Sequence, residues 1–162
     1  MIEHRDGETI LVTGTSVVQV RVRPSASNPE RGRDLTLIVN GRPRTSFEIP
    51  TWRPLSFGYG LGIAYIWSAR TVITLPIESD ADLRVLESNE DLLFVFKVEQ
   101  GWLLVCETSV RLASDEGREV DRIELGDVAE MAHWEGETLV IDDARGLVLT
   151  IRLSNGRLMQ VI

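Results

Sequence analysis

The chain has 162 residues, 43% hydrophobic and 26% charged, with 17 basic against 25 acidic side chains and a formal net charge of −8. These values exclude a disordered, collagen-like or helical membrane-spanning chain, and the acid excess argues against a nucleic-acid binder. A single cysteine, Cys106, excludes an intrachain disulfide.

The first eight residues lack a basic start followed by an apolar run, so no secretory leader is expected and a cytoplasmic location is the default expectation. In chain order, short β-branched and aromatic runs recur, bounded by Gly, Asn, Asp, Ser and Pro. No window of a dozen residues carries the apolar spacing of a helix. Residues 1–3 are expected to pair with the last strand and so close the sheet. Strands follow at 7–12 and 16–22 and, past a polar turn at 24–32, at 35–39 and 45–49. Asn40-Gly41 between the last two is the strongest short-range hairpin signal. Pro50-Thr51-Trp52-Arg53-Pro54 reads as an irregular connector. Between Arg21 and Arg53, seven arginines stand against three acids. Without interleaved aromatics or a helix, they read as solvated strand faces and loops rather than a phosphate-facing patch.

The rest of the chain repeats a strand rhythm. Strands are expected at 55–59, 62–67, 71–75 and 83–86, then at 92–98, 101–106, 109–112 and 120–125, then at 128–134, 136–141, 146–153 and 158–162. Glycines at 7, 62, 101 and 136 lead the hairpins of four similar units. Gly58-Tyr59-Gly60-Leu61-Gly62 has no helix after it and reads as a tight turn rather than a phosphate loop. The chain is therefore expected to be one all-β domain, residues 1–162, with repeat units at about 1–54, 55–87, 88–126 and 127–162. Its charge divides unevenly. Residues 1–54 carry a net +2 and residues 55–162 a net −10.

The last unit contains Gly136-Glu137-Thr138-Leu139-Val140-Ile141-Asp142-Asp143-Ala144-Arg145-Gly146-Leu147-Val148. This strand, Asp-containing turn and closing Gly resemble a blade of the WD40-like and quinoprotein-like β-propeller repeat proteins. The resemblance implies antiparallel four-stranded sheets in a small or incomplete propeller. It departs from that family in lacking a Trp-Asp dipeptide and a regularly placed Trp. A meander or a flattened β-barrel remains an alternative.

No motif marks a catalytic centre. The histidines are His4 and His133, too few with Cys106 for a metal site, and no cofactor is expected. Cys106 shares a strand face with Leu104 and Trp102 and reads as a small buried hydrophobe. Asp142-Asp143 lacks the alternating ligands of a calcium loop and reads as turn chemistry. Trp67 and Trp102 read as core. Trp52 in the connector and Trp134 at a strand end are the candidate exposed anchors. The residues nominated for binding are thus Trp52, Trp134, His133, Asp142 and Asp143.

A non-catalytic interaction module is the favoured function, its acidic surface suited to a basic protein partner, as in immunity proteins that neutralise basic nuclease toxins. Neither a membrane nor a nucleic acid is expected as a partner. A carbohydrate-binding or hydrolytic enzyme with a cleft at the propeller mouth is one alternative. The other is a self-assembling protein whose copies pair through exposed sheet edges.

Overall fold

The computed structural model describes residues 1–5, 8–12, 16–50, 53–79 and 81–161. Among them there are seventeen strands and no helix, in four antiparallel sheets whose strands follow chain order. The first sheet holds β1 (Ile2–Arg5), β2 (Glu8–Val12), β3 (Val17–Pro24), β4 (Gly32–Val39) and β5 (Arg42–Pro50). The second holds β6 (Ser56–Gly60), β7 (Ile63–Ser68), β8 (Thr71–Pro76) and β9 (Arg84–Glu87). The third holds β10 (Leu92–Val98), β11 (Gly101–Cys106), β12 (Ser109–Ala113) and β13 (Glu119–Glu124). The fourth holds β14 (Ala129–Glu135), β15 (Thr138–Asp143), β16 (Val148–Ser154) and β17 (Arg157–Val161).

Each sheet is a run of hairpins with two edge strands, so the flattened barrel is not what forms. The expected pairing of residues 1–3 with the last strand is also corrected. Ile2–Arg5 lies antiparallel to β2, Ile2 opposite Leu11 and Arg5 opposite Glu8. Closing so short a connection costs far less chain entropy than reaching a strand over a hundred residues away. Asn40 and Gly41 both take positive φ, 50° and 77°, as a two-residue hairpin turn requires. Leu61-Gly62 makes the same turn between β6 and β7 at 50° and 76°, with a leucine in the conformation that asparagine tolerates better.

The chain forms two compact units, residues 1–68 with 73–85 and residues 69–72 with 86–162. In the first, Val18, Val20, Leu35, Leu37 and Ile49 pack with Ala64, Ile66, Ile73 and Leu75. The arginines between Arg21 and Arg53 fall on both faces of the first sheet and in loops. Arg21 is bonded to Glu8 at 2.6 Å, and Arg23 stands opposite Asp34. They form no continuous basic strip.

In the second unit, Leu103, Val105, Val110 and Leu112 pack with Leu139, Ile141, Ile151 and Leu158. Strands β11 and β12 are buried on both faces, which explains the unbroken apolar run from Trp102 to Cys106. On the face away from this core, register aligns Val95, Leu104, Arg111 and Arg122 in one row. Two arginines thus stand side by side. Glu90 serves both: its Oε1 lies 2.8 Å from Arg111 Nη2 and accepts from Arg122 Nη2 at 2.7 Å. Its Oε2 accepts from Ser109 Oγ at 2.7 Å, and Asn89 accepts from Arg111 Nη1. Burial works to raise the Glu90 carboxyl, but the Ser109 hydroxyl and the two guanidiniums outweigh it and hold the group below the usual carboxylate range. Asp121 ties the third sheet to the fourth, its carboxylate accepting from the Leu158 amide at 2.8 Å.

Candidate functional site

The fourth sheet carries the candidate site. At one end of β15, Asp143 organises the turn into β16. Its Oδ1 accepts the Arg145 and Leu147 amides, both at 2.9 Å, and the Gly146 amide donates to its carbonyl at 2.9 Å. Burial works to raise the Asp143 carboxyl, yet the two amides and the Arg145 guanidinium hold it below its ordinary value. Asp143 is therefore a turn-former, the chemistry that the Asp-Asp-x-x-Gly spacing suggests.

This turn and the β13–β14 connection frame a cleft of about 340 Å³. Leu125, Ile141, Leu147 and Leu149 give it an apolar lining, and Glu124, Asp143, Arg145 and Gln160 supply polar groups. Arg145 lies across Gly126, where a Cβ would stand 2.5 Å from its Nη2. Its guanidinium bridges Asp127 at 3.3 Å and Asp143 at 3.4 Å. Leu147 and Val148 stand 58% and 62% exposed at the mouth. The surrounding sequence is strongly one-signed, with seven acids and no Lys or Arg from Glu124 to Asp143.

The nominated residues separate on the sheet. Asp143 lies in the cleft. His133 and Asp142 sit on the face away from the second core, His133 opposite Val140 and Asp142 opposite Met131. His133 Nε2 is 3.1 Å from Glu135 Oε1. Trp134 stands on the other face, opposite Leu139, edge-on to Phe96 at 5.8 Å and 37% exposed. Trp52 lies outside the described residues. Trp102 and Cys106 are buried, and burial pushes the Cys106 thiol up. Among the described residues no three His, Cys, Asp or Glu side chains converge as a metal site would require. Sequence reasoning missed Leu147, Val148, Arg145 and Gln160. The available signal was Leu147-Val148-Leu149, three consecutive aliphatics where a half-buried strand should alternate.

No protein-family model matches the chain, and no curated protein matches it in sequence. Solved structures do match in shape. The CNH domain of AfRom2 aligns with 98% of this chain and 55% of its own, at 10% identity and a TM-score of 0.58. The computationally designed protein Ika4 aligns over 94% of both chains, at 10% identity and a TM-score of 0.62. AztD from Citrobacter koseri aligns over 93% of this chain and 44% of its own, at 10% identity and a TM-score of 0.57. This chain thus spans about half of the CNH chain. Identities this low carry the fold alone, and with the four sequential antiparallel sheets they show an all-β, propeller-like fold.

Proposed function

We propose that the chain is a non-catalytic protein-docking module whose contact surface is the cleft of the fourth sheet, and that its partner is basic. The observation that carries this reading is the exposed apolar cleft mouth at Leu147 and Val148 beside the stretch from Glu124 to Asp143, whose seven acids stay in excess after Arg122 and Arg145 pair with Glu124, Asp127 and Asp143. An aliphatic anchor supplies affinity, and acids around it select cationic partners and speed encounter. Inhibition of a basic toxin, in the manner of an immunity protein, is the finer form of this reading.

Panning random peptides on the purified chain tests it. The expected winners combine Lys or Arg with one large apolar side chain. Their affinity falls at least about tenfold in Leu147→Asp, the loss of one anchor contact. It also falls between about 0.1 and 1 M salt, as the screening length shrinks from about 10 to 3 Å. Winners without net positive charge, or binding indifferent to Leu147→Asp, would overturn the proposal.

A further inference from the structure

Among the described residues that line the cleft of the fourth sheet, the only cation is Arg145. A basic partner entering there meets like charge, so the placement of this guanidinium decides what the cleft accepts. Its backbone is fixed, because the Arg145 amide donates to Asp143 Oδ1 at 2.9 Å. Its side chain is held less firmly. It is 52% exposed, and its contacts with Asp127 Oδ2 and Asp143 Oδ2 are long, 3.3 and 3.4 Å. Exposed pairs of this kind add little stability. The guanidinium also covers Gly126. Among the described residues, a Cβ at that position would meet Arg145 alone, its Nη2 at 2.5 Å and its Cζ at 3.7 Å. The missing side chain of Gly126 is thus the slot in which the guanidinium lies.

We infer that Arg145 is an internal occupant of the cleft, which a cationic side chain of the partner displaces from Asp127, Asp143 and Gly126. The inference rests on the docking role proposed for the cleft and says how that site is regulated. The two oxygens of Asp143 have separate tasks. Oδ1 is committed to the Arg145 and Leu147 amides, which build the turn, whereas Oδ2 pairs with the guanidinium. Oδ2 therefore exchanges one cation for another without loss of the turn or of the aliphatic mouth beyond it. Departure of the Arg145 side chain frees two carboxylate oxygens and the slot over Gly126 together, in the cleft whose mouth holds Leu147. An incoming cation takes over both ion pairs, and its apolar neighbours reach Leu147. A neutral segment that moved Arg145 would leave both carboxylates without a cation. The internal guanidinium thereby sharpens the preference for a basic partner, since the wrong partner is penalised by the pairs it breaks and does not replace.

The test is calorimetric titration of the whole chain with basic, apolar peptides panned in parallel on the wild type and on Arg145→Gln. Arg145→Gln should bind a given peptide about threefold to tenfold more tightly, the gain from not having to break two exposed ion pairs. Arg152→Gln removes the same charge from the face away from the second core and, at physiological salt, should change the affinity less than about twofold. Gly126→Ala added to Arg145→Gln should cancel the gain, because the methyl group fills the slot that the partner's cation takes. Far-UV dichroism checks that each variant is folded. Equal gains in Arg145→Gln and Arg152→Gln would reduce the effect to net charge and overturn the inference, and a gain that survives Gly126→Ala would do the same. No gain in Arg145→Gln, with binding still lost in Leu147→Asp, defeats the inference and leaves the docking role of the cleft standing. Peptides that bind neither chain, or that bind both regardless of Leu147, defeat the docking role and the inference with it.

Discussion

Glu90→Gln isolates the electrostatics of the second unit. The substitution keeps the side chain's size and removes one charge from between two cross-strand arginines. Arg111 is 7% exposed and Arg122 31%, and Glu90 itself 27%. Removing one member of a fully buried ion pair costs about 3–5 kcal/mol, because the charge left behind has lost its compensation. Glu90 and Arg122 keep part of their hydration, and Glu119 and Glu124 stand near the guanidiniums at 3.6 and 2.6 Å. A discounted loss of about 2 kcal/mol is therefore expected. In a domain of this size it lowers the Tm by about 4–8 °C.

The pH dependence gives the sharper test. The folded Glu90 carboxyl titrates below its unfolded value, so its contribution is fully present above the unfolded carboxylate pKa and is lost as pH falls through the folded one. The gap between wild type and Glu90→Gln in urea unfolding should be widest near neutral pH and close in acid. In an Arg122→Ala background the substitution should cost less, since one guanidinium remains to be neutralised. A gap that holds constant down to pH 3, or that is unchanged without Arg122, would refute the electrostatic account and leave only packing.

Other expectations concern the backbone and the cleft. Leu61→Asn should stabilise by about 0.5–1 kcal/mol in thermal unfolding, because asparagine tolerates the left-handed turn that Leu61 occupies. Gly101→Ala should cost more than about 3 kcal/mol, since its Cβ would stand 2.1 Å from the Ala113 carbonyl oxygen at a φ of 136°. Cys106 should resist alkylation in the folded chain and react once it is unfolded, its thiol being both buried and pushed up. Asp143→Ala should weaken peptide binding to the cleft, because the Arg145 and Leu147 amides lose their acceptor and the mouth its geometry.

Much of this architecture is local and therefore legible in the chain itself. Alternating apolar runs, Asn40-Gly41 and the polar turns specify hairpins without reference to distant residues, and sheets assembled from consecutive hairpins follow from them. What escapes is whatever depends on register between strands. Arg111 and Arg122 read as two ordinary arginines eleven residues apart, and only the β12–β13 register makes them neighbours. Glu90 lies before β10, with the whole of that strand and the next between it and Arg111. No spacing rule links an acid in one turn to a guanidinium two strands away.

The nominated binding residues show the same division. Asp143 was readable as turn chemistry because an Asx turn is a matter of a few consecutive residues. His133 and Trp134 are adjacent in sequence but face opposite sides of the sheet, since side chains alternate along a strand. The same alternation explains why Leu147 and Val148 escaped notice. As part of an aliphatic run they look like core, and they are exposed because the turn built on Asp143 places them at the cleft mouth, at the start of a strand in which only Ile151 is buried. Composition identifies what a side chain prefers, whereas an exposed aliphatic such as Leu147 arises where the backbone denies that preference, and only the structure shows where that happens.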